Sequence, residues 1–337
     1  MRIPQMANKK SHLPLSVIML TLNEQYHLPG VIENVKDWAA DIFIVDSCSI
    51  DRTVDIALEH DVKIVQRPFT NFGDQWNFAI NRLPIQTPWT LKLDPDERLS
   101  DELKLQIEKV IRNNDAHEGY KFKRRLWFMG KPLHAKQDVV RLWKTSKCRF
   151  SNTIVNEHPI IEGNIGSLTG ILEHHDSYDL HHWYDKQNRH GTMEAIMRYR
   201  GDKLAARTRL FGTPLERRMF LKKMFFKVPL RYFLLYFYHL IGQGAWRNGK
   251  TGRAWARLRT EVYRMIELKF EEIQYTKHIP EIPRPEHRDY DHRILASQLQ
   301  QQLYIESVNK CSSKAEFHFA SSDIKSQTVV ENQQNNL

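Results

Sequence analysis

The chain has 337 residues, 41% hydrophobic and 11% aromatic, enough to bury a substantial core in one large domain or two modest ones. Its three cysteines, Cys48, Cys148 and Cys311, are far apart and lack C-x-x-C spacing, which argues against a disulfide framework or a zinc site and suits a reducing compartment. The net charge of +10 is concentrated in residues 197–260, where 16 Lys and Arg face only Asp202 and Glu216; such a block attracts either nucleic acid or an anionic membrane surface.

Residues 1–14 are polar and read as a flexible N-terminus. The apolar run Leu15 to Leu22 is too short for a signal-peptide core and reads as a strand buried on both faces, ending at Asn23-Glu24. Pro29 is placed to open a helix through Val31, Ile32, Val35 and Trp38, and Ile42 to Val45 makes a second strand ending at Asp46. A polar turn, Asp46 to Thr53, leads into a helix over Val54 to Glu59, and Val62 to Val65 is a third strand. Phe72 to Ile80 is predicted helical. Trp89, Leu91 and Leu93 then alternate with Thr90 and Lys92 as in a half-buried strand, which stops at Asp94-Pro95-Asp96-Glu97.

Ligands bind beyond the carboxyl ends of the strands in open α/β sheets, so Asn23, Glu24, Asp46, Asp51, Asp94 and Asp96 are expected to converge on one crevice. No glycine-rich phosphate fingerprint accompanies them, and phosphate charge there would need a metal. Two carboxylates on one Asp-Pro-Asp turn suit a hard cation, Mg²⁺ or Mn²⁺.

Ser100 and Asp101 can cap a helix through Leu103, Ile107, Val110 and Ile111. The chain then becomes strand-rich over Tyr120 to Phe128 and Val139 to Trp143, around a turn at Gly130-Lys131-Pro132. Two clusters follow whose side chains can bind protons or metal, Val155-Asn156-Glu157-His158-Pro159 and Leu172-Glu173-His174-His175-Asp176. From Tyr184 the pattern is helical. Lys223, Lys227 and Arg231 share a helix face that Pro229 must kink or split. The aromatic run Tyr232 to Tyr238 falls well below the ~20 residues that span a bilayer and suits the membrane interface. Gly242, Gly244, Gly249 and Gly252 read as a flexible loop. Trp255, Leu258, Val262 and Ile266 form a second amphipathic stripe, to be placed either at a membrane or against the catalytic domain as an ordinary helical hairpin. Beyond Tyr275 the prolines and polar composition read as a linker and a disordered tail.

Taken together, Thr21-Leu22-Asn23-Glu24, Ile44-Val45-Asp46-Ser47 with Ser49 and Asp51-Arg52-Thr53, Gln75-Trp76-Asn77-Phe78-Ala79, and Leu93-Asp94-Pro95-Asp96-Glu97 resemble family-2 glycosyltransferases of the GT-A fold. The resemblance is narrower to those of bacterial lipopolysaccharide-core and exopolysaccharide synthesis. It implies an α/β catalytic domain with a mostly parallel central sheet over residues 15–195, divided into a nucleotide-sugar half (15–112) and an acceptor half (113–195). A basic amphipathic helical membrane-associating region (196–272) and a linker with tail (273–337) would follow.

The resemblance further implies a nucleotide-sugar donor, a UDP-sugar favoured, bound by Thr21, Asn23, Glu24, Asp46, Ser47, Asp51, Gln75, Asn77 and Asp94. Mg²⁺ or Mn²⁺ would sit on Asp94 and Asp96, with His174 adding a nitrogen ligand. Glu157 is the first candidate for the base that deprotonates the acceptor, then His158 and Asp176, in a single inverting displacement. The acceptor would be a glycan or glycolipid, and the enzyme would work peripherally on the cytoplasmic face of the bacterial plasma membrane. Two other readings compete. A sugar nucleotidyltransferase would carry a Gly-rich basic loop after the first strand, which Thr21-Leu22-Asn23-Glu24 is not. A nucleic-acid-binding protein could use the basic block, but Phe225, Phe226, Tyr232 and Tyr236 among Leu and Ile favour lipid, so no nucleic acid is expected.

Overall fold

The computed structural model describes residues 12–113, 115–151, 158–201, 211, 214–225, 228–281 and 289–303. In chain order the elements are β1 (Leu13–Thr21), α1 (Leu28–Val35), β2 (Ala39–Asp46), α2 (Thr53–Glu59), β3 (Lys63–Gln66), α3 (Phe72–Arg82), β4 (Trp89–Lys92), β5 (Glu97–Leu99) and α4 (Asp101–Arg112). There follow β6 (Gly119–Phe128), β7 (Lys131–Lys144), β8 (Cys148–Phe150), β9 (Pro159–Ile161), β10 (Ile165–His174), α5 (Leu180–Arg200), α6 (Pro214–Phe225), α7 (Arg231–Phe237) and α8 (Gly249–Thr276). A second compact unit begins at Tyr290; its described part holds a short helix, His292–Leu295, capped by the Asp291 carboxylate, and a further helical stretch over 298–303.

Eight strands form one sheet in the order β3-β2-β1-β4-β7-β6-β10-β5, and β8 and β9 pair separately. The pairs β1–β2, β1–β4, β2–β3 and β6–β10 are parallel. β7 runs antiparallel between β4 and β6, and β5 antiparallel to β10. Leu15, Val17, Ile18 and Met19 of β1 are wholly buried, as a continuous apolar strand requires when both neighbours are parallel and both faces are covered. The helices start where polar side chains can satisfy free backbone N–H groups: Asn71 accepts from Asp74 N to cap α3, and Ser100 accepts from Leu103 N to cap α4.

Two expectations are corrected. β4 is buried at all four positions rather than on alternate ones, because it lies inside the sheet between β1 and β7. Lys92 tolerates this because its ammonium lies 4.2 Å over the Trp76 ring and 3.6 Å from Asp94. The four glycines do not form a loose loop: a helical turn over Tyr238–Gly242 and a 3₁₀ turn over Ala245–Asn248 lead directly into α8, and Gly252 sits inside α8. A Cβ on Gly252 would fall 1.8 Å from the Ala245 carbonyl oxygen, so glycine here serves close packing.

The stripe Trp255, Val262 and Ile266 is interior, packed with Trp183 of α5 and with Phe128 and Leu133 of the β6–β7 hairpin. The helical-hairpin reading therefore accounts for α8. Its partner α7 is separated from α6 at Leu230, just after Pro229, as the proline predicts. Arg231 faces protein, donating to both Glu267 carboxylate oxygens at 2.6 and 2.8 Å. The side chains of Lys223 and Lys227, together with Glu157 and the tail beyond residue 303, lie outside the described residues.

Candidate active site

The acid turn is assembled by elements from across the chain. β4 ends at Lys92; Glu97 N then donates to the Asp94 carbonyl at 2.9 Å, closing the turn, and β5 begins. Arg98 clamps the turn from outside, donating to the carbonyls of Pro95 (2.6 Å), Glu97 (2.7 Å) and His27 (2.7 Å). Within it, Glu97 is wholly buried and accepts from Arg141 of β7 through both oxygens, at 2.6 and 3.1 Å, and from Asp94 N at 3.1 Å. The antiparallel register of β5 with β10 sets His174 opposite Glu97, and His175 N donates to the Asp96 carbonyl at 2.8 Å.

This framework gives the two aspartates different company. Asp94 lies 2.7 Å from the Arg141 guanidinium and 3.6 Å from Lys92, and these cations, overcoming the opposing effect of burial, hold its carboxyl well below the usual range. Asp96 lies 3.2 Å from His174 Nε2 and 3.4 Å from Lys186 Nζ; burial would raise its pKa, but His174 and Lys186 bring it well below the ordinary value. Lys186 also contacts Asp176 Oδ1 at 2.7 Å, and Asp176 lies 3.9 Å from His174. Despite burial, Lys186 and His174 lower the Asp176 pKa as well. Among the described residues, no such cation is bonded to Glu24. Burial, reinforced by the Asp96 carboxylate and only partly offset by Lys186, pushes it up to about 8.

Asp96, His174 and Asp176 each offer one ligand atom, all within 4.8 Å of one another. A divalent cation fits this set. The donors are two carboxylates and an imidazole, a combination compatible with Mn²⁺ or Mg²⁺. Asp96 Oδ1 is buried and without a hydrogen-bond partner among the described residues, which leaves a costly unsatisfied acceptor that a cation would satisfy. Asp94 is not part of the set.

The remaining residues expected at the site fall into a supporting layer. Asp46 is wholly buried and accepts from Thr21 Oγ1 (2.8 Å), Ser49 N (2.9 Å), Ser49 Oγ (2.5 Å) and Gln66 Nε2 (3.0 Å). It ties the ends of β1, β2 and β3 together. Asn23, in the left-handed region at φ 57° that asparagine tolerates, donates through its N–H to Ser49 Oγ and accepts from Ile50 N. Asp51 binds Gln25 N and Thr53 N, fixing the start of α2. Gln75 is buried, accepting from Arg67 at 2.6 Å and donating to Ser47 Oγ at 3.3 Å. Asn77 mimics a strand partner, exchanging hydrogen bonds with the Phe150 backbone at 3.0 and 2.8 Å. His158 pairs with Ser151 through its backbone N–H and carbonyl.

Residues 16–174 match the family model described as glycosyl transferase family 2. Those residues form a family-2 glycosyltransferase domain. Its sheet is the mostly parallel GT-A arrangement. The glycosyltransferase is 28% identical over 251 residues to a lipopolysaccharide core biosynthesis glycosyltransferase, LpsC, of Rhizobium meliloti (strain 1021), covering 71% of this chain and 85% of that protein. It is 26% identical over 196 residues to an uncharacterized glycosyltransferase, RT0209, of Rickettsia typhi (strain ATCC VR-144 / Wilmington), covering 54% and 66%. Among solved structures, glucosyl-3-phosphoglycerate synthase of Mycobacterium tuberculosis, in complex with Mn²⁺, uridine-diphosphate and glucosyl-3-phosphoglycerate, is similar over 33% of this chain and 44% of that one, at 17% identity and a TM-score of 0.28.

Sequence reasoning singled out Asp96, His174 and Asp176 but missed Lys186, Arg141 and the internal role of Glu97. Arg141 and Lys92 carried a signal, since each interrupts an apolar run, as a buried cation with a partner does. Lys186 carried none: it is one lysine in a polar helix whose partner Asp96 lies 90 positions away.

Proposed function

We propose that this glycosyltransferase moves a sugar, with inversion, from a nucleotide-diphosphate donor, UDP-sugar favoured, to a lipopolysaccharide-core, exopolysaccharide or lipid-linked glycan acceptor, with Mg²⁺ or Mn²⁺ as cofactor. The reading rests on the Asp96, His174 and Asp176 cluster with its unsatisfied buried Asp96 oxygen, at the end of β4 and β10. These three side chains would hold the ion, which when bound supplies positive charge to the departing diphosphate. Asp94, kept ionised by Arg141, would face the donor sugar or ribose; Thr21, Asn23, Glu24, Asp46, Ser47, Asp51, Gln75 and Asn77 would shape the nucleotide side, several of them by anchoring its loops. Glu157 and His158 are the candidate acceptor bases. Asp176, bonded to Lys186 and shifted down, is a weak base and better suited to the ion.

A lipopolysaccharide-type acceptor is supported by the resemblance to LpsC. Peripheral work on the cytoplasmic face of the plasma membrane is supported by α7 and its flanks. Leu230, Phe233, Leu234 and Ile241 recur at helical spacing and are 77%, 60%, 53% and 61% exposed, a stripe suited to the headgroup boundary. No described helix is long and apolar enough to cross a membrane.

The test is a screen of UDP-, GDP- and CDP-sugars for Mn²⁺-dependent donor hydrolysis. One donor should be hydrolysed by the wild type and lost in Asp96→Asn. Hydrolysis that persists in Asp96→Asn and in EDTA would overturn the metal assignment.

A further inference from the structure

Lys186 is a cation lodged among groups that the proposed function assigns to another cation. Its Nζ lies 2.7 Å from Asp176 Oδ1, 3.2 Å from the Asp176 carbonyl and 3.4 Å from Asp96 Oδ2. Both carboxylates belong to the cluster of possible metal ligands. An Mg²⁺ ion binds oxygen at about 2.0–2.1 Å, and so would compete with the ammonium for the same lone pairs while repelling it at short range. The lysine is well placed to yield. Its helix, α5, is anchored by Trp183, three residues earlier and buried in the core, while the four-carbon stem lets the ammonium move without the backbone.

We propose that Lys186 is a built-in counter-cation that holds Asp96 and Asp176 against metal capture until the donor diphosphate brings its own anionic oxygens, so that metal and donor bind together. The proposal rests on the metal reading above and assigns the cause of its ordering to one side chain. Without Lys186, Asp96 and Asp176 would face each other and His174 with no ammonium between them, the condition in which a carboxylate pair collects a divalent ion from solution. With Lys186 in place, metal capture by the donor-free protein has to displace a half-buried, doubly paired ammonium.

Mn²⁺ binding is read by loss of the free-ion electron paramagnetic resonance signal, with and without UDP, on wild type, Lys186→Gln and Lys186→Arg. Lys186→Gln should bind Mn²⁺ without UDP at least about ten-fold tighter than wild type, equivalent to ~1.4 kcal/mol. The factor by which UDP tightens Mn²⁺ should shrink correspondingly, since the coupling is reciprocal. Lys186→Arg, which keeps the charge, should stay near wild type. An unchanged Mn²⁺ affinity in Lys186→Gln, with Asp96→Asn abolishing Mn²⁺·UDP binding, would overturn the role of Lys186 and leave the metal reading standing. Absence of Mn²⁺ binding in every arm, with UDP included, would overturn both. If circular dichroism shows Lys186→Gln unfolded, reductive methylation of wild type followed by mass spectrometry decides: the rate at Lys186 should change on adding Mn²⁺ with UDP, and an unchanged rate sinks the proposal.

Discussion

Replacing Arg141 with Met tests the charge network that carries the acid turn. Arg141 is 6% exposed and Glu97 is wholly buried, and the guanidinium makes two hydrogen bonds to Glu97 and one to Asp94. Arg141→Met keeps an unbranched stem but leaves the buried Glu97 carboxylate with the Asp94 N–H and, at 3.5 Å, the more distant Arg124 as its partners among the described residues. Removing one partner of a buried pair costs about 3–5 kcal/mol. The surviving Arg124 contact favours the lower end, ~3 kcal/mol, which for a domain of this size lowers Tm by roughly 6–12 °C. Arg141→Met with Glu97→Met should recover most of that loss, because no uncompensated charge is then buried. Thermal unfolding of the wild type, both single variants and the double variant completes the cycle. A Tm within ~2 °C of wild type for Arg141→Met, or a double variant no more stable than that single one, would refute the reasoning.

Glu24 gives a pH signature. Its pKa is about 8 in the folded protein against 4.5 unfolded, so the folded state holds the proton more tightly; the resulting stabilisation is complete below pH 4.5 and is lost as pH rises through 8. The stability difference between Glu24→Gln and wild type should therefore move in favour of Gln between pH 5 and 8, by up to ~1.4 kcal/mol per unit, and level off above. Urea unfolding at four pH values reads it, and a difference independent of pH would exclude the shift. Gly252→Ala should destabilise by at least about 2 kcal/mol, because the Ala245 carbonyl must move to admit the methyl group; a variant that melts with wild type would show that α8 can shift freely. Phe233→Asp with Leu234→Asp should abolish sedimentation with anionic liposomes while leaving Mn²⁺·UDP binding intact, and unchanged sedimentation would remove α7 from the membrane reading.

Much of the N-terminal half was legible because its signals are local. Pro29, Ser100 and the apolar runs before Asn23, Asp46 and Asp94 mark elements by short-range rules, and β1, β2, α1 and α4 follow them. What escaped depends on partners remote in sequence. The alternation around Lys92 looked half-exposed because Trp76, which receives its ammonium, lies on another element. The stripe on α8 reads the same whether lipid or protein covers it, and only Trp183, Phe128 and Leu133 decide. Asn77 and Asp46 have the residue types of ligand-binding groups, yet their hydrogen bonds go largely to the scaffold. Lys186 reaches Asp96 only because α5 is pinned by Trp183.

The placement of β7 between β4 and β6 also sets a schedule for synthesis. Asp94, Asp96 and Glu97 emerge together, 44 positions before Arg141 and, for Asp96, 90 positions before Lys186. At about 5–20 residues per second the turn, which has Lys92 beside it from the start, waits several seconds for Arg141 and roughly 5–20 s for Lys186. Until then three carboxylates sit side by side at the end of an open sheet whose β4 edge has no neighbour. The nascent first hundred residues are therefore poised to pair with other chains and poorly suited to settle alone, and a ribosome pause between β5 and β7 would prolong that exposure more than a pause anywhere after α5.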